Sequence, residues 1–144
     1  MAELDKIYLF RMTHIENIPH ILQCGITHSD SPNANPIYVP IGDNSIISTR
    51  NKFLLNNGKT LGDYIPFYFS KRTPMLYVIQ KGYNSVVLTP AEKIVYCVSS
   101  IQKIIDKKLD FIFTNGQANS KLSSQFTISD IESITKIIDE KAIK

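Results

Sequence analysis

The sequence has no tryptophan, only two cysteines and three histidines, and six glycines among 144 residues. Each scarcity argues against a class of protein. Cys24 and Cys97 stand apart in apolar surroundings, with no spacing to His14, His20 or His28 that would make a ligand set. A zinc site or a disulfide framework is therefore not expected, and buried free thiols in a reducing compartment are. There is no phosphate-binding loop, no Gly-x-Gly-x-x-Gly after a strand and no His-Glu-x-x-His. No apolar run approaches the ~20 residues that span a bilayer. The opening Met1-Ala2-Glu3-Leu4-Asp5-Lys6 lacks a signal-peptide core. A cytoplasmic protein without metal or membrane partner is expected.

What is present suits one soluble domain. A globular chain of this length buries on the order of two-thirds of its unfolded surface, enough to fold without cross-links. A net charge of +3 is too small to argue for a polyanion partner. Its distribution says more. Six bases (Arg50, Lys52, Lys59, Lys71, Arg72, Lys81) and one acid, Asp63, lie between residues 50 and 81, interleaved with Phe53, Tyr64, Phe67, Tyr68, Phe69 and Tyr77. Cations mixed with aromatics suit single-stranded nucleic acid, where bases stack on rings. A solvated basic face beside core aromatics explains the same residues, and local sequence favours it.

Residues 7–12 read as a strand buried on both faces and ending at Thr13-His14. Thr13 with Glu16 fits a capping box, and Pro19 after Asn17 places the regular helix beyond residue 17. Ile18, Ile21 and Leu22 would form its apolar face, and Gly25 would end it. Residues 29–36 are loop by composition. Residues 37–60 look mostly irregular, with a short helix near 45–50 and a turn at 56–59. Strands are expected at 64–69, 75–80, 94–98 and 111–113, and a helical turn at 89–92. Ser99 or Ser100 would cap a helix running to Lys108, with Ile101, Ile104 and Ile105 inward and Lys107 and Lys108 in its last turn. Ser129 with Glu132 fits another capping box, followed by Ile131, Ile134, Ile137 and Ile138 at helical spacing. Short strands interrupted by short helices, without regular alternation, predict an α+β fold.

Local chemistry alone points to few residues. His14, just after a strand and at a helix start, could meet a ligand, although a capping histidine is the commoner explanation. Arg50, in a polar irregular segment, could hold a diphosphate through its planar fork, or be simply solvated.

The ordered set of segments adds a resemblance. Tyr8-Leu9-Phe10-Arg11-Met12-Thr13-His14-Ile15-Glu16-Asn17-Ile18-Pro19 and Ile21-Leu22-Gln23-Cys24-Gly25-Ile26 resemble the opening of the DarT family, as does Ile41-Gly42 leading to Ile46-Ile47 and Arg50. The most specific run is Leu61-Gly62-Asp63-Tyr64-Ile65-Pro66-Phe67-Tyr68-Phe69, continuing to Arg72-Thr73-Pro74-Met75-Leu76-Tyr77. Ile94-Val95-Tyr96-Cys97-Val98-Ser99-Ser100 and Phe111-Ile112-Phe113-Thr114-Asn115-Gly116-Gln117-Ala118 follow in the family's order.

The resemblance implies an ADP-ribosyltransferase-like split β-sheet, with short helices around a cleft for NAD as substrate. It implies a toxin of a toxin–antitoxin system that modifies bases in single-stranded DNA and is restrained by a DarG-type antitoxin. Carried over position by position, Thr13 and His14 would contact the ribose and nicotinamide end of NAD. Arg50 would contact phosphate and assist catalysis, and Met75, Leu76 and Tyr77 would lie near the nicotinamide or target pocket. Lys52, Lys71 and Arg72 would face DNA. Gln117 stands where many relatives have histidine, and it cannot carry a proton at neutral pH. The family's catalytic glutamate lies in a strand after the C-terminal helix. Residues 1–144 are accordingly expected to be a single such domain, incomplete at its C-terminus and inactive or nearly so as given. A catalytically inactive relative that binds NAD or single-stranded DNA is the alternative. Glu132 is read as a capping residue and Glu140 as an unlikely catalytic acid.

Overall fold

Leu9, Arg11 and Thr13 alternate with Phe10, Met12 and His14 along the first strand, so the two sets take opposite faces. The structure is a computed structural model that describes residues 4–41, 50–70, 90–116, 118 and 121–138. Strand β1, Tyr8–His14, pairs antiparallel with β2, Ile94–Ser100, from Tyr8↔Ser100 through His14↔Ile94. The strand is longer than the sequence suggests. Ile94 and Val95 are β-branched and extend the ladder, so Thr13 and His14 lie within it.

Ser100 ends β2 and caps α2, Ile101–Asp106, its Oγ accepting from the Lys103 N–H at 3.3 Å. That helix stops short of Lys108, which adopts φ 56°, so Lys107 and Lys108 lie beyond the last turn. Ile7, Leu9, Ile101, Phe113, Ile134 and Ile138 form the main buried cluster. Phe113 belongs to β3, Phe113–Thr114, which pairs antiparallel with β4, Gln125–Phe126; the Phe113 and Phe126 rings stack at 5.4 Å. Only the end of the strand expected at 111–113 is thus in a ladder. A 3-10 run, Ile128–Ser133, leads into α3, Ile134–Ile137. The isoleucine spacing does turn inward: Ile134 and Ile138 are buried, with Ile131 and Ile137 against the cluster. The cap, however, is Thr127, in a box with Asp130, whose carboxylate accepts from the Thr127 N–H at 3.0 Å. The cap lies directly after β4, two residues before the one expected at Ser129, so Glu132 is not the capping residue.

A 3-10 turn, Ile15–Asn17, precedes α1, Ile18–Cys24, and Gly25 closes it with φ 79° while donating to the Ile21 carbonyl at 2.8 Å. Helix start and stop agree with the sequence, but its packing does not. A two-turn helix lying on one side buries only an edge: Ile18 and Ile21 are half-buried, and Leu22 is 82% exposed. Cys24 is exposed and Cys97 intermediate, so the free thiols are not both buried.

Residues 64–69 do not form the expected strand. A 3-10 turn, Leu61–Asp63, opens the segment, and one bridge, Phe10↔Tyr68, joins it to β1 through two 2.8 Å backbone hydrogen bonds. Pro66 has no N–H, so the ladder cannot continue through it. The turn at 56–59 is present, with Leu55 donating to the Lys59 carbonyl at 2.7 Å. Ala91–Lys93 forms a 3-10 turn before β2. Residues 50–52 are helical, while the rest of the helix expected near 45–50 and the strand expected at 75–80 lie outside the described residues. Among the described residues no helix is long and apolar enough to cross a membrane. Nor does any cluster of His, Cys, Asp and Glu among them fit a metal ion.

Candidate functional site

The C-terminal end of β1, paired with β2 on one side, is tied to the loop at Val39 by one buried amide. Asn17, 1% exposed, donates through Nδ2 to Thr13 Oγ1 at 3.0 Å and to the Val39 carbonyl at 2.8 Å. Its Oδ1 accepts from the Val39 N–H at 2.8 Å. A side chain thereby pairs with a backbone unit as a strand would, and residues 26–41 are laid against β1 and α1. The capping box expected between Thr13 and Glu16 does not form, because Thr13 Oγ1 is taken by Asn17. His14 caps instead: its Nδ1 accepts from the Glu16 N–H at 3.1 Å, which in the neutral ring leaves the proton on Nε2.

The far end of the same loop is pinned by His28. Its Nε2 donates to the Gly62 carbonyl at 2.6 Å, and Nδ1 accepts from the Asp30 N–H at 3.1 Å. Both bonds suit one neutral tautomer. Between loop, strand and helix lies a cleft of mixed polar and apolar lining, with Arg11, Thr13, Asn17, His20, Asn35 and Tyr38 beside Ile21 and Ile26. Hydroxyl, amide, imidazole and guanidinium groups converge there, a set that suits a sugar and an anion.

Arg50 approaches from the helical turn at 50–52. Its Nη2 donates to the carbonyls of Leu61 at 2.9 Å and Tyr64 at 3.3 Å. Burial depresses its pKa; Tyr68 opposes that effect and Arg11 adds to it. Tyr68 in turn is pushed up by burial, with Arg50 and Arg11 pulling the other way. Gly62 makes this geometry feasible: a Cβ there would meet Asn51, including its Cα at 3.0 Å.

Of the residues singled out from the sequence, Thr13 lines the cleft; Arg50 does not, and is held by the Leu61 and Tyr64 carbonyls within electrostatic reach of Arg11. His14 belongs to the opposite face of β1 and serves as a cap. Lys52 is exposed. Lys71, Arg72, Met75, Leu76, Tyr77, Gln117 and Glu140 lie outside the described residues. Arg11, Asn17, His20, His28 and Tyr38 were not singled out by sequence as site groups. Strand alternation would have placed Arg11 on the Thr13 face. The Asn17–Val39 pair had no local signal.

A model of the family described as ssDNA thymidine ADP-ribosyltransferase, DarT, matches residues 10–143. A DNA ADP-ribosyl transferase of Escherichia coli O127:H6 is 32% identical over 125 residues, covering 85% of this chain and 57% of the relative. A DNA ADP-ribosyl transferase–DNA ADP-ribosyl glycohydrolase fusion protein of Thermosipho africanus is 32% identical over 139 residues, covering 92% of this chain and 33% of the fusion. The chain thus spans about half the length, or less, of the curated relatives it matches. Among solved structures, Thermus sp. 2.9 DarT with ADP-ribosylated ssDNA has a TM-score of 0.76 at 31% identity, covering 91% of this chain and 62% of that one. The same protein with NAD+ gives 0.73 at 30% identity, covering 96% of this chain and 63% of that one. The α+β architecture described above is therefore that of the DarT structures over the shared region.

Proposed function

This chain belongs to the DarT family, and from that membership we propose that it takes part in NAD-dependent ADP-ribosylation of single-stranded DNA, as the toxin of a toxin–antitoxin pair. The target is the base of thymidine, following the family description. The bond between ribose and nicotinamide breaks, a bond from the same ribose carbon to a base nitrogen forms, and the base gives up a proton. The observation that carries this reading is the correspondence of nearly the whole chain with a solved DarT bound to NAD+.

In this reading the cleft between β1, α1 and residues 26–41 takes NAD. Thr13 sits on its wall, at the ribose and nicotinamide end; His14, on the opposite face of β1, holds the turn that follows the strand. Arg50 holds phosphate and assists catalysis, and partial burial strengthens its field by reducing solvent screening. Met75, Leu76, Tyr77 and Gln117 are proposed near the nicotinamide and the target base, and Lys52, Lys71 and Arg72 along the DNA. A DarG-type antitoxin is the proposed partner, supported by a relative in which transferase and glycohydrolase share one chain. Free thiols at Cys24 and Cys97 fit a cytoplasmic setting.

A second reading is a binding module without chemistry. What favours it is that, among the described residues, no carboxylate lines the cleft. Breaking the nicotinamide bond develops positive charge on the ribose, which a carboxylate would stabilise. One experiment decides between the two: titrate the chain with NAD, then incubate it with adenine-labelled NAD and single-stranded or duplex oligonucleotides. Label on single strands alone is the expected result for the transferase. Saturable NAD binding with no label transferred is expected alike of the binding module and of the inactive domain read from the sequence, and only transfer of label separates the transferase from both. Neither binding nor transfer overturns both.

A further inference from the structure

Arg11 has no part in the reading above, yet it lies in the cleft. It stands on β1 between Leu9 and Thr13, both buried, and lines the cleft wall with Thr13 and Asn17. Its Nη1 donates to the Pro66 carbonyl at 3.2 Å, and its cross-strand partner is Cys97. Neither group is an anion. Arg50 is held in the same manner by the carbonyls of Leu61 and Tyr64. Three carbonyls of one segment, residues 61–66, thus anchor two guanidinium groups. Among the described residues no carboxylate pairs with either.

Arg11 lines the cleft and Arg50, partly desolvated, is anchored on the same segment; two like charges so placed repel, and a group with two negative charges between them turns that repulsion into attraction. A guanidinium has five donors in a rigid fork, so a single bond to a carbonyl orients it and leaves donors for phosphate oxygens. We propose that Arg11 and Arg50 form a two-arginine clamp for the diphosphate of the dinucleotide, with Arg11 on the Thr13 side. This assignment rests on the NAD reading of the cleft.

The test is calorimetry on the full chain and on Arg11→Gln and Arg11→Lys, with NAD, ADP, adenosine and a single-stranded oligonucleotide as ligands. Glutamine can still donate to the Pro66 carbonyl, so its effect isolates the charge. Arg11→Gln should weaken NAD and ADP by at least about tenfold, the scale of a lost charge-assisted contact. Adenosine and the oligonucleotide should be unaffected. Arg11→Lys should fall between, keeping the charge but losing the fork. Unchanged NAD and ADP affinities in Arg11→Gln overturn the clamp. So does a loss confined to the oligonucleotide, which assigns Arg11 to the DNA strand. If Arg11→Gln does not fold, equal ADP affinity of Arg11→Lys and the unaltered chain overturns it as well. Wild-type binding of ADP but not NAD defeats the dinucleotide reading and leaves the clamp standing. Binding of neither defeats both.

Discussion

At the scale of single residues, Asn17 decides more of the site than any residue with obvious chemistry. It is almost fully buried, and three hydrogen bonds to Thr13 and Val39 use both its amide protons and its carbonyl. Replacement by alanine strands the backbone polar groups of Val39, and each buried unsatisfied group costs roughly 1–3 kcal/mol. Asn17→Ala should therefore lower stability by about 2–4 kcal/mol in urea unfolding and weaken NAD binding with it. A stability change within error would mean that residues 26–41 are held by other means. The sequence marks Asn17 only as a helix-start residue, because its real partner is 22 positions away. The cysteines provide a second residue-scale prediction. Cys24 is exposed; burial raises the Cys97 pKa, with Arg11 opposing. A raised pKa means less thiolate at a given pH, and the thiolate is the reactive form. Iodoacetamide near neutral pH should alkylate Cys24 first, and Cys97 should respond only as pH climbs past the ordinary thiol range. Peptide mapping that finds equal rates would contradict the burial of Cys97.

At the scale of elements, the periodic segments were legible and the irregular ones were not. The helix at α1, the β-branched run of β2 and the isoleucine spacing of α3 each carry a repeating pattern that local rules can read. Residues 61–69 carry none, and the apolar-aromatic content of 64–69 suggests a strand. Pro66 and the turn at Leu61–Asp63 instead turn their carbonyls toward Arg11 and Arg50. This segment is the scaffold of the proposed clamp, so damage to it should be read at the arginines. Gly62→Ala sets a methyl group against the backbone of Asn51, next to Arg50, and overpacking of this kind costs about 1–3 kcal/mol. The expected outcome is a lower denaturation midpoint together with weaker NAD binding. Lost stability with intact NAD affinity would separate the segment from the site.

At the scale of the whole molecule, family order was legible across the chain because the resembling segments keep their sequence even where their local structure was misread. Basic residues look alike in sequence whether they meet phosphate or a neighbouring carboxylate. The structure separates two of them. Lys59 pairs with Asp110 at 3.2 Å and lies over the Tyr64 ring at 5.7 Å, whereas Lys52 is exposed on the turn that carries Arg50. A cation already paired must surrender its partner before it neutralises a phosphate, so it contributes less to counterion release. Oligonucleotide binding should fall with salt, with a slope of about −0.7 per phosphate neutralised on a single strand. Lys52→Ala should reduce that slope by about one contact's worth, while Lys59→Ala should leave it nearly unchanged. Fluorescence anisotropy at several salt concentrations measures both. Equal slopes for Lys52→Ala and the unaltered chain would remove Lys52 from the DNA path. A large change for Lys59→Ala would show that Asp110 releases its partner when DNA arrives.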